Sequence, residues 1–285
     1  MRTASPAGAK QPSRRLNRME ALFLCVLGLI AAIAAAGPWI PGPSPLDQDL
    51  MHVDEGFSAL HLLGTDTLGR DILARLIYGA RITLEIAIGG TFLAFLIGAG
   101  GGLTALSFGR AAAGFFYALI DLVRALPSTL MALLVVVGLG SGGWQLMLAT
   151  GIAFSPLVAY VARSVYQREA AQEYVLAAQS FGGDRLHILR LHLLPNITGP
   201  LLTQMAIVLP RCIVTESVLS FLGLGSAPDE PTWGRMIADA TPMLERAPHE
   251  VMVPLCALVT LTFSLSLVVG RWRERLDPLR RRRES

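Results

Sequence analysis

The stretch from Ala170 to Pro200 reads AAQEYVLAAQSFGGDRLHILRLHLLPNITGP and forms a polar island between two long apolar blocks. Ala170, Tyr174, Ala177, Ala178 and Phe181 recur at the spacing of one face of an α-helix. Gly182 and Gly183 then break that helix, because glycine readily takes the left-handed backbone that ends one. Asp184 has the side chain of an N-cap, so a second short helix through Leu186, Leu189 and Leu193 is expected to begin there. Pro195 is expected to end it, since proline has no N–H to continue the ladder. The product is an elbow of two short helices carrying Arg185 and Arg190 beside an apolar span. Such an elbow suits a grip by another protein. It suits equally well an amphipathic loop on a membrane surface.

The composition explains why apolar blocks flank the island. Of 285 residues, 53% are hydrophobic and only 16% charged, whereas a soluble domain carries about a quarter charged. The chain therefore reads as an all-α polytopic membrane protein. Working outward, six apolar spans are expected: about Ala21–Ile40, Thr83–Ser107, Phe115–Leu139, Trp144–Ala162, Leu201–Leu224 and Val251–Gly270. The first is about 20 residues long, enough to cross roughly 30 Å of hydrocarbon. It is too long for the apolar part of a signal peptide and reads as a retained span. Pro41-Gly42-Pro43 stops it, and Pro127 is expected to kink the third. Gly98 and Gly102 form a small-xxx-small pair that lets another helix approach.

Arginines set the orientation. Lys10, Arg14, Arg15 and Arg18 precede the first span, Arg163 and Arg168 follow the fourth, and Arg271, Arg273, Arg275 and Arg280–Arg283 follow the sixth. The positive-inside rule then places both termini and the elbow in the cytoplasm. The segment 43–79, rich in Asp and Glu, falls outside. The organisation is a cytoplasmic tail (1–20), a first span with an extracytoplasmic segment (21–80), a five-helix transmembrane domain (81–271) containing the elbow loop (163–200), and a basic tail (272–285). The basic excess reflects this pattern and not nucleic-acid binding.

Two pairs of charges in or near spans can be singled out. Asp121 and Arg124 lie three apart on one helix face and can pair. Arg211 and Glu216 lie mid-span, where charges are costly and face a cavity or a partner. They read as a pathway-lining pair, as a contact with another chain, or as a structural ion pair between helices. Cys25, Cys212 and Cys256 have neither metal nor disulfide spacing and read as small buried packing residues. His187 and His192 are five apart and are not expected to share a helix face. His52, His61 and His249 are scattered over outer segments and read as polar surface, so no metal site is expected. The single lysine, Lys10, lies in no Gly-Lys-Ser/Thr loop, so the chain itself is not a P-loop ATPase. No nucleophile–base or metal motif of an enzyme is present, and no cofactor site is expected.

Four motifs carry a resemblance. The elbow reads Leu176-Ala177-Ala178, three residues, Gly182, and then Leu194-Pro195-Asn196. It resembles the EAA loop of bacterial ABC-importer permeases, which docks into the ATPase subunit. Leu176 stands where that family has Glu, while Glu173 fits a Glu-Tyr-Val opening of the peptide-importer branch. The outer segment His61-Leu-Leu-Gly64-Thr65-Asp66-Thr-Leu-Gly69-Arg70-Asp71 closely resembles the His-Pro-Leu-Gly-Thr-Asp-x-x-Gly-Arg-Asp segment of dipeptide, oligopeptide and nickel permeases. Thr215-Glu216-Ser-Val-Leu-Ser-Phe-Leu-Gly-Leu-Gly225 and Pro231-Thr-Trp233-Gly234-Arg-Met-Ile237 are similar to further segments of those permeases. Together these cover roughly Leu60 to Pro278.

The resemblance implies a type I ABC importer permease fold in the bacterial inner membrane, with alternating access and no catalytic group of its own. It implies a second permease subunit as heterodimer partner, two ABC ATPase subunits that bind ATP and Mg, and an extracytoplasmic substrate-binding protein. Glu173, Ala177, Ala178, Gly182, Gly183, Asp184, Leu194 and Pro195 would form the ATPase-coupling surface. The cargo would be di- or oligopeptides, with nickel or another small solute as the alternative. An ion-coupled secondary transporter is the rival class, and Arg211 with Glu216 is the one feature in its favour.

Overall fold

The computed structural model describes residues 18–40, 42–227 and 229–276. The basic residues Lys10, Arg14, Arg15 and Arg280–Arg283, and Pro41 of the expected stop, lie outside the described residues. The described residues hold eleven α-helices and no strand.

Helix α1 (Arg18–Ala36) is an apolar rod ending in a single 3-10 turn, Gly37–Trp39. An irregular segment leads to Asp71, whose carboxylate accepts from Ala74 N at 2.8 Å and caps α2 (Ile72–Phe95). α2 continues through a π-helical stretch, Leu96–Gly101, into α3 (Gly102–Phe108). At about 1.5 Å per residue this 37-residue rod measures about 55 Å, nearly twice the hydrocarbon thickness of roughly 30 Å. The rod therefore protrudes well beyond the hydrocarbon. The expected boundary at residues 80/81 falls inside α2.

α4 (Arg110–Arg124) and α5 (Ser128–Leu139) meet at 94°. Pro127 causes the break, because its ring pushes the preceding residue out of helical backbone and removes a donor. A kink is expected there and a right-angle bend is found. α6 (Gly143–Ala170), the short α7 (Glu173–Ser180) and α8 (Arg185–Ile188), and α9 (Leu194–Phe221) follow. The described residues end with the short α10 (Trp233–Ala240) and with α11 (Pro248–Leu276). Among the described residues, five helical rods are long and apolar enough to cross a membrane, and the bent α4–α5 pair makes a sixth span if taken as one.

α6 is the central post, packed against α2, α4, α5 and α9. Small residues let it come close. A Cβ on Gly98 would collide with the Ser155 carbonyl, and one on Gly151 would lie 2.6 Å from Leu93 Cβ. Lipid supplies no hydrophobic drive between helices, so close van der Waals packing has to hold them. Gly98 and Gly102 serve different neighbours, α6 and Tyr117 of α4. Only Cys212 is buried; Cys25 and Cys256 lie on the outward faces of α1 and α11, which corrects the expectation for both.

Candidate functional site

The elbow is built by three backbone devices. α7 ends in a Schellman motif: Gly182 (φ +82) donates to Gln179 O at 3.0 Å and Gly183 N to Ala178 O at 3.1 Å. Asp184 occupies the N-cap position of α8, but its side chain accepts no cap bond, contrary to expectation. The backbone then widens into a π turn, Leu189–Leu193, where Leu194 N–H donates to Leu189 O. That turn admits Pro195 into the first turn of α9, so the proline does not end the helix and the rod runs on from Arg185 to Phe221. The i→i+5 bonding also brings residues five apart together. His187 and His192 meet edge to face, ring centroids 6.3 Å apart, against the expectation of separate faces.

The single helix face expected from Ala170 to Phe181 does not form, because Ala170 ends α6 and the other four belong to α7 and its C-cap. The chain breaks at Ala171–Gln172, which resets the helical phase, and Val175 is the residue that packs inward. Tyr174, Leu176, Ala177 and Phe181 point out, with Phe181 92% exposed. Glu173, Gly182, Asp184 and Pro195 are exposed; Ala178, Gly183 and Leu194 are half-buried. A Cβ on Gly182 would meet nothing within 4 Å. Tyr174 ties the loop down, donating to Glu169 Oε1 at 2.6 Å and accepting from Asn196 Nδ2 at 2.9 Å. The bond to Glu169 raises the Tyr174 pKa. Behind the elbow lies a cavity of about 890 Å³ lined by Arg110, Arg163, Arg185, Tyr166 and Gln179.

At the far end of the bundle the three other motifs meet. Gly64 (φ +81) and Gly69 (φ +71) turn the segment so tightly that a Cβ on either would strike backbone, Glu55 O or Asp49 O. Thr65, fully buried, accepts from Glu55 N at 3.0 Å and donates to His52 O. Asp66 holds Arg70 Nε at 2.7 Å and Arg75 Nε at 3.6 Å. Asp239 of α10 sits 3.7 Å from Arg75 Nη2 and 4.0 Å from Arg70 Nη2, and also pairs with Arg235. Trp233 bonds across to α2, Nε1 to Leu76 O at 2.9 Å, and Gly234 lets α10 lie 2.7 Å, by a notional Cβ, from Ser217 Cα. Asp239 and Thr83, which accepts from Trp233 N at 3.3 Å, were not legible as partners. The i,i+4 spacing of Arg235 and Asp239 was the one available hint for the former.

The charges within the spans part company. Glu216 is 0% exposed and accepts from Ser220 Oγ at 2.7 Å and Ser217 Oγ at 3.2 Å. Arg211 lies on the exposed face of α9, beside cavities of about 570 and 730 Å³. Five residues turn a helix through well over a right angle, so the two do not form the expected pair. Asp121 and Arg124 form no direct ion pair either. Both converge on Tyr160, which donates its hydroxyl to Asp121 and its ring face to Arg124, 4.9 Å from the centroid.

The family model for the binding-protein-dependent transport system inner membrane component matches residues 94–282. The chain belongs to this family. Among permeases of known name, it is 34% identical over 256 residues to the di/tripeptide transport system permease protein DppC of Pseudomonas aeruginosa (strain UCBPP-PA14), covering 88% of this chain and 84% of that one. It is 32% identical over 264 residues to the oligopeptide transport system permease protein OppC of Bacillus subtilis (strain 168), covering 93% and 87%. The fold is similar to that of a chain of the MetNI methionine ABC transporter, with a TM-score of 0.59 at 18% identity, over 71% of this chain and 97% of that one. An amino acid ABC transporter chain matches at 0.57 and 18%, over 72% and 95%. This permease is an inner-membrane transport component with the ABC importer fold.

Proposed function

We propose that this permease carries di- or oligopeptides through the inner membrane as one half of a heterodimeric channel, driven by two ABC ATPase subunits. A binding protein on the outer side delivers the cargo. The exposed apolar elbow carries the reading. Tyr174, Leu176, Phe181, Leu186 and Leu191 crowd one short loop that is nonetheless fixed to α9 through Tyr174 and Asn196. Burying such side chains against a partner yields about 1.5–3 kcal/mol each, and the stiff rod Arg185–Phe221 carries the resulting push into the bundle. Glu173, Ala177, Ala178, Gly182, Gly183, Asp184, Leu194 and Pro195 form this coupling surface. Gly64, Thr65, Asp66, Gly69, Arg70, Asp71, Trp233 and Gly234 hold the outer rim against α2 and α9. ATP and Mg bind on the ATPase subunits, and this chain supplies no catalytic group.

The peptide names of the relatives support the cargo. The test is uptake of labelled di- and tripeptides by proteoliposomes holding the complete complex and the binding protein. Uptake that requires ATP inside the ATPase compartment is expected. Uptake driven by an ion gradient without ATP would overturn the reading.

A further inference from the structure

His61 and His52 are not scattered surface histidines. One nitrogen of each ring and a carboxylate oxygen of Asp49 lie within 4.8 Å of one another. His61 is 8% exposed, and its Nδ1 is bonded to Asp71 Oδ2 at 2.9 Å. Its Nε2 is buried and has no hydrogen-bond partner. A buried ring nitrogen with no partner forfeits hydration and gains nothing in return. A carboxylate on the other nitrogen is the arrangement that orients a histidine toward a metal and strengthens it as a donor.

The neighbouring ligands are held in place by backbone. Asp49 N donates to Gly69 O at 2.9 Å, and Thr65 Oγ1 donates to His52 O. Asp49 Oδ2 and His52 Nδ1 already stand 2.8 Å apart. Ligand atoms about 2.1 Å from a tetrahedral ion stand about 3.4 Å apart. The Asp49–His52 contact of 2.8 Å therefore has to open and the separations of up to 4.8 Å have to close, which an irregular turn can supply.

We propose that Asp49, His52 and His61 bind one late first-row divalent cation, with zinc as the probe, as a resident clamp between the turn at residues 49–52 and the capped start of α2. Two imidazoles and one carboxylate suit zinc, nickel or cobalt, and not magnesium or calcium, which prefer all-oxygen shells. The clamp is independent of the transport reading.

The test uses the full chain in mild detergent, carrying no polyhistidine tag, stripped with a chelator and titrated with zinc by calorimetry. One equivalent is expected, unaffected by excess magnesium. His52→Asn, at a partly exposed position, is expected to weaken binding by more than roughly tenfold. It should also abolish the zinc-dependent rise in Tm that any ligand of the folded state produces. His61→Asn should do the same, and cobalt should show visible bands only in the wild type. No stoichiometric zinc binding, or binding undiminished in His52→Asn, would overturn the proposal.

Discussion

Gly69 and Gly182 share a left-handed backbone, φ +71 and φ +82, yet their surroundings differ completely. A side chain at Gly69 would meet the Asp49 carbonyl carbon at 2.6 Å, whereas one at Gly182 meets open space. The backbone penalty for alanine is about 1–2 kcal/mol at either site. Gly69→Ala adds a collision between two backbone segments that neither can relieve by a rotamer change. Thermal unfolding in detergent should therefore show a clearly larger loss for Gly69→Ala than for Gly182→Ala, and equal losses would contradict the packing of the outer segment. The open space at Gly182 also locates its importance outside the chain. A bulky residue there has room in the isolated subunit and none if a partner closes over the elbow.

At the scale of elements, the elbow was legible in outline and not in phase. Gly182-Gly183, the flanking apolar runs and the Leu-Pro pair marked two short helices near a span. Their period placed Ala170 and Phe181 on one helix, which does not form, because a break of two residues at Ala171–Gln172 restarts the helix and period analysis carries through such a break. The π turn was invisible for a related reason: nothing in Leu189–Leu193 distinguishes i→i+5 bonding from i→i+4, and only the tolerance of Pro195 reveals it. The outer segment was legible by motif. Its contacts, such as Trp233 on Thr83 across 150 residues, were not, since they depend on how α2, α9 and α10 pack. The corrected phase makes a prediction. Phe181→Asp should leave stability within about 0.5 kcal/mol, as a change at an exposed position does, while sharply reducing ATP-dependent uptake. Val175→Asp buries a charge in the hydrophobic core and should instead lower the yield of folded protein. Normal uptake by a well-expressed Phe181→Asp variant would contradict the assignment of the docking face.

For the whole molecule, the question is what covers the exposed faces of the spans. Arg211 lies mid-rod on such a face, and lipid contact at that depth costs about 2.5–3.5 kcal/mol or more. Its neighbours around the two cavities include Thr203, Gln204, Thr262, Ser266 and Arg273, a polar set that suits water between two permease subunits. In a background lacking the native cysteines, Arg211→Cys should react with a charged thiol reagent in the assembled complex. A cysteine placed at Leu29, on the exposed apolar face of α1, should not. Absence of labelling at position 211 in every nucleotide state would place that face against lipid or packed protein.

The assembly itself is the most direct check. The tagged chain should be drawn from membranes in mild detergent, the proteins that accompany it identified by mass spectrometry, and ATP hydrolysis measured on the eluate. A second permease and ABC ATPase subunits should come with it, the eluate should hydrolyse ATP, and Phe181→Asp should shed the ATPases while keeping the second permease. A chain that elutes alone and without ATP hydrolysis, from cells that still take up peptide, would contradict the importer assignment.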